Sequence, residues 1–219
     1  MKYLIDDQLE QLDLDAALAL MPEERRRRTL AYRHESQRRQ SAGAWLLLRR
    51  LCREEWGLSD VPEVRVGEHG KPYFPDRPDL HFNLSHCAAG VACVVDTRPV
   101  GIDIETIRPL REALARRVLS EQEWTSLNNP RPSVQPSEII VHPSEITVQP
   151  SEITEPPSQS LSFARLWTMK ESLSKMIGHG LTLDWPRLQS LIDDHPEARF
   201  TTIVSEARQY VCTVCQNRP

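Results

Sequence analysis

The chain has 219 residues, 39 % of them apolar and 26 % charged, with a net charge of −4. That length supports a sizeable core, and no apolar run is long enough to form a membrane-spanning helix. The N-terminus turns acidic at Asp6-Asp7 without the apolar region of a secretory signal, and the five cysteines form no dense disulfide framework, so free thiols in a reducing cytoplasm are expected.

Residues 1–5 read as a short strand. Pro22 with Glu23 and Glu24 opens a helix, because proline suits the first turn and acids favour the positive end of the helix dipole. Apolar residues at helical spacing, among them Ala42, Trp45 and Leu46, carry that helical segment to Trp56, where Gly57 stops it. Residues 64–66 form a short strand ahead of a turn at 68–72. Residues 80–84 and 91–95 are paired strands about a turn at Ala88-Ala89-Gly90. Residues 100–105 make another strand, in which Gly101 is unusual for an interior position. Helical patterns return at 108–127 and 163–177, and 200–215 is a strand pair. Cys212 and Cys215 lie in that pair; their C-x-x-C lacks the second pair that a tetrahedral zinc site requires.

Between Asn128 and Ser160 the text becomes a tandem repeat: Pro136-Ser137-Glu138-Ile139, Pro143-Ser144-Glu145-Ile146, Pro150-Ser151-Glu152-Ile153. A proline in each copy forbids a coiled coil, and so short a unit builds no solenoid. A mobile surface loop is the expectation, with a recognition segment as the alternative. Arg25-Arg26-Arg27-Arg28 heads an arginine-rich stretch. Such a block suits a solvated helix face, a nucleic-acid patch or a seat for a phosphorylated small molecule, and composition does not choose among them.

Three groups carry chemistry. Asp103 and Glu105, two apart on a strand, project from one face, where a cation or a shared proton would relieve their repulsion; a solvated strand edge would look the same. Glu171 and Lys175, four apart on a helix, either form a surface ion pair or supply a metal ligand and a phosphate-directed cation. Gly70-Lys71-Pro72 and Phe82-Asn83-Leu84-Ser85-His86 each offer groups able to grip a phosphate, although each alone is equally structural.

Taken in order, G-K-P, F-N-x-S-H, G-x-D-x-E and W-x-x-K-E-x-x-x-K resemble the large, single-chain type of 4′-phosphopantetheinyl transferase, most clearly over residues 66–105 and 163–181 and more weakly over 22–39. The resemblance implies an α+β fold of two pseudo-symmetric α/β subdomains with the active site in the cleft between them. Residues 1–99 would form the coenzyme A side. Residues 100–219 would form the metal and carrier side, with a flexible repeat insertion at about 128–160. It implies magnesium, with manganese as an alternative, on Asp103, Glu105 and Glu171. Lys175 would contact the phosphate, and Asp103 would also face coenzyme A. Gly70, Lys71, Pro72, Ser85, His86, Arg27 and Arg39 would hold the adenosine end and its 3′-phosphate. The implied reaction is attack by a serine hydroxyl of an apo acyl or peptidyl carrier protein on coenzyme A, releasing 3′,5′-ADP, with Glu171 or a metal-bound water as the base. A monomer without nucleic-acid or membrane partners is expected. A carrier-binding homologue that has lost catalysis and a metal-dependent nuclease are the rival readings.

Overall fold

Val91, Cys93 and Val95 point to one side of their strand and Ala92 and Val94 to the other, so the strand needs apolar cover on both faces. In the computed structural model it is β5 (Gly90–Asp96), buried throughout, between β1 (Lys2–Asp6) and β4 (His81–Cys87) in an antiparallel sheet ordered β1-β5-β4. The structure describes residues 1–129, 139–142, 145–146, 158–178 and 185–218. Helix α3 (Glu35–Trp56) covers one face of this sheet, packing Trp45, Leu48 and Leu51 into a core with Phe82, Val91, Cys93 and Val95.

The other face of β5 meets a second sheet. Ala92 and Val94 pack with Val100, Ile102 and Ile104 of β6 (Val100–Thr106) and with Cys212 and Val214 of β10 (Tyr210–Asn217). This sheet runs β6-β10-β9-β7-β8, with β9 (Ala198–Ser205) antiparallel to β10. Strands β7 (Ile139–His142) and β8 (Glu145–Ile146) come from the repeat; β7 lies parallel to β9, with Ile139 opposite Ile203. The loop expected at 128–160 therefore contains backbone strands, and its remaining residues from 130 to 157 lie outside the described residues. Helix α6 (Gln159–Ile177) covers the far face. The protein is α+β.

Local pattern and structure part company where tertiary bonds intervene. The helical segment expected over 23–56 is two helices, α2 (Glu23–Leu30) and α3, separated at Ala31–His34. Thr29 Oγ1 and Ser41 Oγ are hydrogen-bonded at 2.9 Å, and Arg25 Nη2 donates to the Ser41 carbonyl and hydroxyl at 2.9 and 3.0 Å, folding α2 back on α3. A further helix, α1 (Leu14–Ala19), precedes them, capped by Asp13, which accepts from the Ala16 amide. The expected helix 108–127 is likewise two, α4 (Glu112–Val118) and α5 (Glu121–Asn128). The second opens with a capping box between Ser120 and Glu123. Helix α7 (Trp185–Ser190) follows α6. All five cysteines are buried and free. Cys212 packs in the core between the sheets and Cys215 in the core beside α6, as strand alternation dictates.

The two sheets also meet along β4 and β6, where side chains stand in for a backbone ladder. Asn83 Oδ1 accepts from the Ile102 amide at 3.0 Å and Ser85 Oγ from the Ile104 amide at 3.2 Å. Both pairs step by two residues, so one face of β4 meets alternate amides of β6.

Candidate active site

With Ile102 and Ile104 turned into the core, Gly101, Asp103 and Glu105 face α6. A Cβ on Gly101 would stand 1.9 Å from the Ser172 carbonyl oxygen and 2.6 Å from the Met176 amide, so only glycine allows this helix to lie directly on this strand. That explains the glycine inside a strand. The close approach brings Lys175 onto Asp103: Nζ donates to Asp103 Oδ1 at 2.6 Å, to Ser85 Oγ at 3.0 Å and to the Ile102 carbonyl at 3.1 Å. Ser85 donates to the same Asp103 oxygen at 2.9 Å. Ser85, expected at the adenosine end, thus lies at the floor beneath Asp103, with its hydroxyl fully engaged.

Asp103 and Glu171 are buried, and Glu105 is half-buried. Burial pushes the Glu171 carboxyl up to about 7, helped by the charges of Asp103 and Glu105 and opposed by Lys175. Burial, then Asp103, also raises Glu105, against a stabilising hydrogen bond with the Trp167 side chain. Among the described residues, two buried carboxylate oxygens, Asp103 Oδ2 and Glu171 Oε1, have no hydrogen-bond partner. Unpaired oxygens among mutually repelling acids suit a hard divalent cation. The acids are not gathered into a finished cage, however: among the described residues, no group of three or more His, Cys, Asp or Glu side chains is arranged to hold a metal ion. The Lys175 ammonium occupies the other Asp103 oxygen instead.

A cavity of about 250 Å³ opens beside this cluster, lined by His69, Gly70, Lys71, Pro72, Asn83, Leu84, Glu171, Lys175 and Gly178. Gly70 has φ +82 in the turn between β2 (Arg65–Val66) and β3 (Pro72–Tyr73), which aims Lys71 at the end of α6. Lys71 Nζ donates to the Met176 carbonyl at 2.6 Å, and burial lowers its pKa. Burial, then the Lys175 and Arg25 cations, likewise lowers the pKa of His86, whose side chain reaches the surface.

The arginines fall differently. Arg39 pairs with Glu35 at 2.8 Å and donates to the Leu9 and Leu12 carbonyls, fastening the first segment to α3. Arg27 is exposed on α2. Nothing local in the sequence singles out Arg25 from its neighbours, yet it turns inward, 5.4 Å over the Trp45 ring and electrically coupled to His86. Arg25 and Trp45 lie too far apart in sequence for periodicity to pair them. Glu105 also borders a second cavity of about 200 Å³, with apolar walls that include Leu114, Phe163 and Trp167.

Acids on a strand and its covering helix, a lysine reaching them from that helix and a cavity alongside agree with the comparisons. Residues 99–215 match the 4′-phosphopantetheinyl transferase superfamily, and the chain belongs to that family. It is similar to a 4′-phosphopantetheinyl transferase of Bacillus subtilis, 27 % identical over 98 % of this chain and 90 % of that protein. It is also similar to 4′-phosphopantetheinyl transferase Sfp of Bacillus subtilis (strain 168), 29 % identical over 82 % of this chain and 70 % of that protein. A third relative, AcpT of Salmonella typhi, is 34 % identical over 62 % of this chain and 58 % of its own length.

Proposed function

We propose that this protein transfers the 4′-phosphopantetheine arm of coenzyme A to a serine of an apo acyl or peptidyl carrier protein. Residues 1–99 form the coenzyme A side and 100–219 the metal and carrier side of a cleft. The observation that carries the reading is the Lys175–Asp103 contact at 2.6 Å beside a Glu171 carboxyl held near neutrality.

In this reading the serine oxygen bonds to the β-phosphorus, the pyrophosphate P–O bond breaks, and 3′,5′-ADP leaves. Lys175 turns from Asp103 to the phosphate and stabilises the charge that develops on the leaving oxygen. Glu171, whose carboxyl changes charge near neutral pH, takes the serine proton directly or through a water. Lys71, with Gly70 and Pro72, positions the adenosine end, and His86 with Arg25, Arg27 and Arg39 presents cationic charge to the 3′-phosphate. Asp103, Glu105 and Glu171 would hold magnesium or manganese, which supplies neutralising charge for the pyrophosphate. Support for this comes from the unpartnered oxygens of Asp103 and Glu171.

The test incubates the protein with labelled coenzyme A, an apo carrier protein and magnesium. Label on the carrier serine, abolished by a chelator, is the expected result. A protein that binds the carrier but transfers no label would overturn the reading and make it a carrier-binding homologue.

A further inference from the structure

Lys170 precedes Glu171 in the chain, yet nothing in the reaction gives it a task. Its side chain is wholly buried on the flank of α6. Nζ lies 3.0 Å from Glu123 Oε2 and 2.9 Å from the carbonyl oxygens of both Leu188 and Gln189. An ammonium has three protons, and here three acceptors meet them.

Glu123 is itself fixed. The same Oε2 accepts the Ser120 amide at 2.8 Å, while Ser120 Oγ accepts the Glu123 amide at 3.3 Å, closing the capping box that opens α5. One set of bonds therefore joins the start of α5, the middle of α6 and the end of α7. On the neighbouring flank, Thr168 Oγ1 is hydrogen-bonded to Thr213 Oγ1 of β10 at 2.7 Å, and Gly101 admits the Ser172 carbonyl. Consecutive helix residues point about 100° apart, so holding Lys170 against α5 and α7 determines where Glu171 points. A buried ion pair is a poor source of stability compared with apolar packing, and fixing a geometry is a use it serves better.

We infer that Lys170 is a positioning residue: its buried pair with Glu123 sets the rotation of α6, and so the placement of Glu171 and Lys175 against Asp103. The kinetic consequence rests on the transferase reading; the geometric consequence does not.

The double variant Lys170→Met/Glu123→Gln removes both charges together and leaves a glutamine oxygen for the Ser120 amide. Its turnover and its affinity for Mn²⁺, titrated alone, should each fall about tenfold or more, as when a partner behind a metal ligand is lost, while KM for coenzyme A stays within about twofold. A crystal structure of the variant should show the Lys175–Asp103 contact broken. If the double variant does not fold, Lys170→Met alone serves: it removes all three bonds of the ammonium, while Glu123, 19 % exposed, keeps the Ser120 amide and meets water, and the same losses are expected. Unchanged turnover, Mn²⁺ affinity and Lys175–Asp103 contact in a folded variant would overturn the inference. A wild-type protein that neither binds Mn²⁺ nor transfers label would instead overturn the transferase reading, and the crystal structure would still decide the role of Lys170.

Discussion

Lys71 Nζ stands 2.6 Å from the carbonyl oxygen of Met176, so a lysine from the turn between β2 and β3 caps the last turn of α6. Gly178, with φ +85, ends the helix beside it, and a Cβ there would lie 3.4 Å from the Lys71 side chain. A cation at a helix C-terminus satisfies an otherwise orphaned carbonyl and offsets the negative end of the dipole. Lys71→Met should lower stability by about 1–2 kcal/mol in urea unfolding and weaken coenzyme A binding. A variant as stable as wild type would show that this contact does not hold the two elements together.

The acids can be tested singly. Asp103→Ala or Glu171→Ala should lower turnover by at least about a hundredfold, because each removes a ligand of the cation that would neutralise the reacting pyrophosphate. Near-normal turnover of either folded variant, measured with saturating coenzyme A and carrier, would rule out the proposed cluster.

Gly101→Ala should be among the most damaging small substitutions. Its Cβ would fall inside the Ser172 carbonyl, and a backbone contact cannot rotate away as a side chain can. A loss of roughly 3 kcal/mol or more is expected, with turnover falling as α6 is pushed off Asp103. Thermal unfolding indistinguishable from wild type would mean that the strand and helix are not in direct contact.

Without metal, Glu171 makes stability depend on pH. Its carboxyl is pushed from 4.5 up to about 7, chiefly by burial, so the folded state binds more protons than the unfolded state between those values. Stability should therefore fall as pH rises through this window and level off above it, by a few kcal/mol at most. Glu171→Gln, which cannot ionise, should flatten the profile. Urea unfolding at a series of pH values with a chelator present checks this, and an unaltered slope in the variant would assign the effect elsewhere.

Much of this frame was legible locally. Alternation announced β4, β5 and β6, spacing announced α6, and the two-residue step placed Asp103 and Glu105 on one face. The partners were not legible. Nothing near Thr29 or Arg25 in the chain announces Ser41, whose bonds break the long helix in two. The partners that Arg39 meets, Glu35 and the Leu9 and Leu12 carbonyls, are equally illegible, because the resemblance carries a position and not a rotamer. The Ser120-x-x-Glu123 signal lies inside what reads as one continuous helical pattern, yet it opens a new helix.

Replacing residues 136–155 with a Gly-Ser linker should leave turnover at saturating carrier unchanged, because β10 and β9 separate β7 from β6. It would also strip β7 from the outer edge of β9, and an open edge invites pairing between molecules. Size-exclusion chromatography should show more self-association than for wild type. A linker variant that loses turnover while remaining folded would place the repeat in the reaction.

The seam between β4 and β6 has a consequence for how such a protein changes over generations. Backbone ladders are anonymous: almost any residue supplies the same amide and carbonyl, so substitutions pass through them unnoticed. Here the rungs are the Asn83 amide and the Ser85 hydroxyl, and the latter also serves Asp103 and Lys175. The bond that joins two sheets and the bond that orients the reacting groups are thereby spelled out in the same short word of sequence. A single nucleotide change there can loosen architecture and chemistry together, a vulnerability that a backbone-paired junction would not have.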